Sequence, residues 1–99
     1  MIIFDIILDN EETAGIISTF LIKEKYAFQT HIDTNTILTL QGKKQTIRLF
    51  FITKALLYSK IESEVKKKFF TPDMIIYATP VSHINEEFGE ILRKSIKAV

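Results

Sequence analysis

The sequence predicts an α+β fold, with one antiparallel sheet, two helices packed on a single face of it and an extra helix at the C-terminal end. Three observations carry that prediction. Ile- and Phe-rich runs with strand-like composition alternate with segments whose apolar residues recur every three to four positions. The resulting order is β-α-β-β-α-β-α. Two of the strands, within residues 27–53, meet at a polar tip, Gln41-Gly42-Lys43-Lys44, which reads as a hairpin turn.

The first strand is Ile2 to Leu8. Ile2, Phe4, Ile6 and Leu8 share one face, and Ile3, Asp5 and Ile7 share the other. Both faces are mostly apolar, as in a central strand covered on both sides. Asp9 and Glu12 then stand three apart, the spacing of a capping box, and acidic residues suit the positive end of a helix. The helix runs to about Lys25, with Ala14, Ile17, Leu21 and Glu24 on one stripe and Phe20 beside them. Gly15 is a poor helix former, and close approach to a neighbouring backbone would explain it.

Ala27 to Leu40 is mainly strand-like, and the polar run Thr30 to Asn35 suggests a bend or bulge. Gln41 to Gln45 forms the turn, with Gly42 available for positive φ. In the returning arm, Ile47, Leu49, Phe51 and Thr53 face one way, and Arg48, Phe50 and Ile52 the other. Lys54 to Phe69 is the second helix, on the repeat Leu57, Ile61, Val65 and Phe69, and Pro72 prevents its continuation. Met74 to Ala78 is the fourth strand. Asn85 caps a last helix in which Phe88, Ile91, Leu92 and Ile96 mark the buried side. Two β-α-β units joined through a hairpin make a ferredoxin-like βαββαβ sandwich. One domain spans residues 1–99.

Composition narrows the function classes. There is no cysteine, so a disulfide, a thiolate metal site and a cysteine nucleophile are excluded. Thirteen Lys and Arg balance twelve Asp and Glu, for a net charge of +1, so no global field attracts nucleic acid or acidic lipid. The apolar N-terminus lacks a basic leading region and a small-residue cleavage site, and it reads as a strand of the mature protein. No apolar run approaches the ~20 residues of a membrane span. A cytoplasmic location is expected.

Two helices cover one face of such a sheet, yet three strands carry apolar residues on both faces. A homo-oligomer in which sheets pack together and hairpin edges are shared follows from that excess. The expected interface is Ile37, Leu38, Leu40, Ile47, Leu49, Phe50, Phe51 and Ile52.

Specific sites are harder to find. His31 and His83, with Asp5, Asp9, Asp33 and Asp73, have no metal-site spacing, so no metal or other cofactor is expected. The third strand carries Phe50 and Phe51, as RNA-recognition modules carry aromatics there, but the glycines of that motif are absent and the two rings face opposite ways. Lys43, Lys44 and Arg48 are candidate anion ligands at a subunit boundary, although a lone Gly42 makes no phosphate-cradling loop. Asp9, Glu11, Glu12, Glu86 and Glu87 sit at helix starts, where acidic residues are stabilising, and no catalytic residue is assigned.

Four stretches stand in a telling order: Met1-Ile2-Ile3 with Asn10-Glu11-Glu12-Thr13-Ala14, then Leu21-Ile22-Lys23-Glu24-Lys25-Tyr26-Ala27, Gln41-Gly42-Lys43, and Asn85-Glu86-Glu87-Phe88. In that order and at similar spacing they resemble the CutA or divalent-ion-tolerance family of PII-like trimers. The resemblance implies a non-enzymatic homotrimer linked to divalent-ion tolerance or small-ligand signalling, and an association with divalent copper. The chain departs from the family where it has no cysteine in residues 27–31, no tryptophan before Gly42 and Lys68-Phe69-Phe70 in place of His-Pro-Tyr. Two other roles fit the same scaffold: a structural or adaptor trimer that binds a protein partner, and a PII-like nucleotide sensor.

Overall fold

A computed structural model describes residues 1–99. The elements are β1 (Ile2–Leu8), α1 (Glu11–Lys23), β2 (His31–Thr39), β3 (Gly42–Thr53), a single 3₁₀ turn (Ala55–Leu57), α2 (Tyr58–Phe69), β4 (Ile75–Pro80) and α3 (Glu86–Ser95). The strands form one sheet in the order β2-β3-β1-β4, with every neighbouring pair antiparallel. This is the ferredoxin-like βαββαβ sandwich with an added C-terminal helix.

The core lies between the sheet and the helices. Phe4, Ile6 and Leu8 of β1 and Leu49, Phe51 and Thr53 of β3 are buried against Ala14, Ile17 and Leu21 of α1 and Ile61 and Val65 of α2. Phe4 and Phe51 stack at 5.1 Å between ring centres. Leu92 and Ile96 close the core from the C-terminal segment. That segment is fastened by Lys97 N–H to the Lys25 carbonyl and by Lys54 Nζ to the carbonyls of Ile96 and Lys97, a cation at a helix C-terminus. It leaves Ile75 and Tyr77 on the far face of the sheet half exposed.

Tyr26 and Thr53, polar residues of the helix-side core, both have hydrogen-bond partners. Tyr26 is fully buried, and its hydroxyl donates to Glu64 Oε2 at 2.8 Å. Burial above all, then the bond to Glu64, pushes the phenol up to about 12. Thr53 Oγ1 donates to the Tyr26 carbonyl at 2.7 Å.

Several boundaries differ from the sequence reading. The cap of α1 is Asn10, whose Oδ1 accepts from Thr13 N–H at 2.9 Å; Asp9 is exposed and lies outside the helix. The helix ends at Lys23, and Lys25 takes a left-handed turn at φ 61°, which leaves Glu24 exposed and off the buried stripe. No backbone approaches Gly15: a side chain there would meet nothing within 4 Å. β2 begins at His31 and pairs without a break through Asn35, so there is no bulge. The turn is only Leu40-Gln41, between paired Thr39 and Gly42, and Lys43 and Lys44 belong to the strand. Gly42 does adopt the expected positive φ, 117°. Asn85 stands at the N-cap of α3, but its side chain donates to Glu87 rather than capping the backbone, and Ile91 faces solvent.

Candidate functional site

Alternation fixes what each face of β3 can do. Ile47, Leu49, Phe51 and Thr53 are buried under the helices, while Thr46, Arg48, Phe50 and Ile52 face the opposite side. That second, open face is shared with Ile3, Asp5 and Ile7 of β1, Ile75 and Tyr77 of β4, and His31, Asp33 and Asn35 of β2. The interface expected from the sequence therefore splits. Ile47, Leu49 and Phe51 are buried in the chain's own core, under the helices. Phe50 and Ile52 are half-buried on the open face, Ile37 is half-buried, and Leu38 and Leu40 are exposed, Leu40 completely.

An ion pair stands in the middle of the open face. Arg48 Nε donates to Asp5 Oδ1 at 2.6 Å, and the Asp5 side chain is only 2% exposed. The two residues lie on neighbouring strands, with Asp5 opposite Phe50 and Arg48 opposite Ile7. The Arg48 guanidinium also sits 4.0 Å from the centre of the Phe50 ring, a cation–π contact. His31, directly across from Phe50, stacks on the same ring at 4.8 Å. Removing Arg48 would leave the Asp5 carboxylate buried without its cation.

Beside this pair is a cleft of about 400 Å³, lined by Ile7, Ile37, Ile75 and Tyr77 with Asn35, Thr46 and Arg48. Thr46 Oγ1 is buried there without a hydrogen-bond partner. The terminal guanidinium nitrogens of Arg48 make no protein hydrogen bond. An apolar wall with a few unspent donors is the composition of a small-ligand site. Of the three basic residues expected to hold an anion, only Arg48 lines this cleft. Lys44 lies on the same face but pairs with Asp73 at 3.8 Å, and Lys43 points to the other side. Thr46 and Asn35 were not marked by sequence reasoning. The signal available was a lone Asp5 and a lone Arg48, each set in an otherwise apolar strand face.

No three His, Asp or Glu side chains come together in a way that could hold a metal ion. The His83 ring hydrogen-bonds only to the Ser82 hydroxyl, and Asp5 is engaged by Arg48.

The hairpin extends beyond the body. β1 pairs with β3 only from Ile47 onward, so Gly42 to Thr46 is backed by β2 alone. The result is a two-stranded arm on a molecule 43 × 27 × 20 Å in extent. Such a ribbon is marginal in water without a further surface to lie against.

The arrangement defines a class: a ferredoxin-like sandwich with an open apolar sheet face and a projecting β2-β3 arm. Within that class the chain has the fold of the CutA, or divalent cation tolerance, proteins. CutA1 from Pyrococcus horikoshii superimposes with a TM-score of 0.89 at 17% identity, over 99% of this chain and 100% of that one. The divalent cation tolerance protein from Thermus thermophilus gives 0.80 at 22% identity, over 98% and 100%. The periplasmic divalent cation tolerance protein CutA from Archaeoglobus fulgidus gives 0.85 at 19%, also over 98% and 100%. No protein-family model matches the sequence, and no curated protein matches it. No helix is long and apolar enough to cross a membrane.

Proposed function

We propose that the chain is a non-enzymatic, CutA-like homotrimer of the cytoplasm. Its sheets pack by their open faces, and its hairpin arms lie against neighbouring subunits. The observation that carries this reading is the open face. Ile3, Ile7, Phe50, Ile52, Ile75 and Tyr77 surround the Asp5–Arg48 pair, whose carboxylate is buried, and no helix covers this apolar surface. Apolar patches of this kind mark interfaces, and an ion pair at their centre gains strength as water is excluded. The unsupported arm and its exposed Leu38 and Leu40 favour the same conclusion. The cleft beside Arg48 is then a place for a small anionic ligand near the subunit seam, in a signalling or ion-tolerance role.

Light scattering at micromolar concentration tests the assembly. The expected mass is that of three chains, and Ile52→Asp should lower it; a single-chain mass for the unaltered protein refutes the reading. Calorimetry with copper, zinc and ATP tests the ligand. Metal binding that persists in Arg48→Ala supports ion tolerance, and ATP binding lost in that variant supports nucleotide sensing. If nothing binds below millimolar concentration, the trimer is an adaptor, a role that the protruding Leu38 and Leu40 also suit.

A further inference from the structure

We propose that the outer surface of α1 is a second, two-fold contact, made with the same surface of another copy of this chain. It lies on the helix side of the molecule, away from the open sheet face. A shallow groove of about 460 Å³ runs along α1 there, lined by Glu12, Gly15, Ile16, Thr19, Phe20 and Lys23, with Phe69 of α2 at its edge. Ile16 is more than half exposed although it stands in mid-helix. Gly15 leaves a notch into which nothing in the chain projects. A glycine in that position weakens the helix, and no internal packing offsets the loss.

The occupant follows from the pattern of the lining. The groove has an acid at one end, a base at the other and an apolar middle. Neither Glu12 nor Lys23 has an ion-pair partner within the chain. Two copies of α1 laid antiparallel, with the two-fold axis midway between Ile16 and Thr19, bring every groove residue of α1 to a fitting counterpart. Glu12 meets Lys23 of the second copy, and Lys23 meets its Glu12. The exposed edge of Phe20 meets the notch at Gly15, and Ile16 meets Thr19. Both charge and size are complementary under one rotation, as an isologous interface requires. Lys68, whose Nζ lies 5.5 Å from the centre of the Phe20 ring, adds a second cation at the basic end. The antiparallel helix dipoles also attract.

This contact does not depend on the open-face assembly. It doubles whatever mass that assembly sets, giving a hexamer from a trimer or a dimer from a monomer. Light scattering over a series from micromolar to near-millimolar protein should show the mass rising towards twice its starting value. Gly15→Leu fills the notch and favours the helix, so it should fold fully yet hold the starting mass. Glu12→Lys and Lys23→Glu should each do the same when alone, and an equimolar mixture of the two should regain the doubling. A wild-type mass that stays constant over the series overturns the proposal. So does undiminished doubling in Gly15→Leu or Lys23→Glu protein whose circular dichroism matches the wild type. A monomer that doubles to a dimer refutes the trimer but supports this contact, whereas a trimer that never doubles does the reverse.

Discussion

The two faces of the sheet are made from the same strands and nearly the same residue types, yet they answer to different partners. On the helix side, Phe4, Ile6, Leu49 and Phe51 are sealed by α1 and α2, and the polar groups at its margin are satisfied locally, Tyr26 by Glu64 and Thr53 by a carbonyl. On the open side, Phe50, Ile52 and Ile7 are only half-buried, and the Arg48 terminal nitrogens and the Thr46 hydroxyl are unspent. The difference is one of completion. The first face finishes its packing within one chain, and the second holds groups that need something further to pack or bond with. Apolar content alone does not separate them; what separates them is which polar groups already have partners.

Adjacent phenylalanines break the comparison most sharply. Phe51 is buried on the closed face, so Phe51→Ala should destabilise the folded chain by about 4 kcal/mol, from lost burial and a residual cavity. Phe50→Ala on the open face should destabilise an isolated subunit by only about 1 kcal/mol, because the ring is half exposed and stacks only on Arg48 and His31. Its larger effect should be on assembly. Denaturant melts at a concentration low enough to dissociate subunits read the first quantity, and mass against concentration reads the second. Equal melting losses for the two variants would show that both faces are closed within the monomer.

The next effect tests the ion pair. Arg48→Ala leaves the Asp5 carboxylate buried without its cation and should destabilise by about 3 kcal/mol. The double replacement Asp5→Leu with Arg48→Met removes both charges and should recover most of that loss. A double variant as unstable as Arg48→Ala would mean that the arginine acts mainly through its packing on Phe50.

The element order and the helix-side core were readable because period-two and period-3.6 patterns survive in a single sequence. Leu21, Ile61 and Val65 lie on the helix stripes that the periodicity marks, whereas β1 is apolar on both faces and its pattern alone does not choose between Phe4 with Ile6 and Ile3 with Ile7. The division of the hairpin between the core and the open face was not readable. Ile47, Leu49 and Phe51 alternate with Phe50 and Ile52, so only one of those sets could face a neighbour, and the choice depends on which side the helices take. The Asp5–Arg48 pair joins residues 43 positions apart and needs the register of β1 on β3. The cap of α1 was misplaced because Asp9 and Asn10 have equivalent chemistry. The extended backbone at Asn10, φ −130° and ψ 116°, decides between them. The open cleft was missed for a similar reason, since Thr46 looks like any strand threonine until its neighbours are known.

The closed face carries its own titration. The Tyr26 phenol is held neutral by burial and by donation to Glu64, and its value rises from 10 to about 12. A group whose folded value is raised binds its proton more tightly in the native state. Its contribution is therefore full below pH 10 and is lost as pH rises towards about 12. The unfolding free energy should fall by about 2 kcal/mol across that window through Tyr26, and the fall should be clearly smaller in Tyr26→Phe, where only the Tyr58 phenol, also raised by burial and by Glu62, still contributes with the same sign. The absorbance of tyrosinate, followed beside the melting curve, assigns the loss to this residue. An identical alkaline slope in Tyr26→Phe would place the sensitive group elsewhere.

The smallest expected effect is a gain, and it extends the comparison to the outer side of α1. Nothing packs on Gly15, and its backbone is helical, so Gly15→Ala adds a methyl group into open space. It should raise stability by about 1 kcal/mol, through better helix propensity and a less flexible unfolded chain. The same substitution would destabilise a glycine held against a neighbouring backbone. The sign of the change thus separates a residue that serves the internal packing of the subunit from one that serves an external contact. A loss of stability in Gly15→Ala, measured at a concentration where the protein does not self-associate, would show that the notch belongs to the fold of the single chain. A gain, together with weakened self-association, would place α1 beside the open sheet as a second surface whose packing is completed outside the subunit.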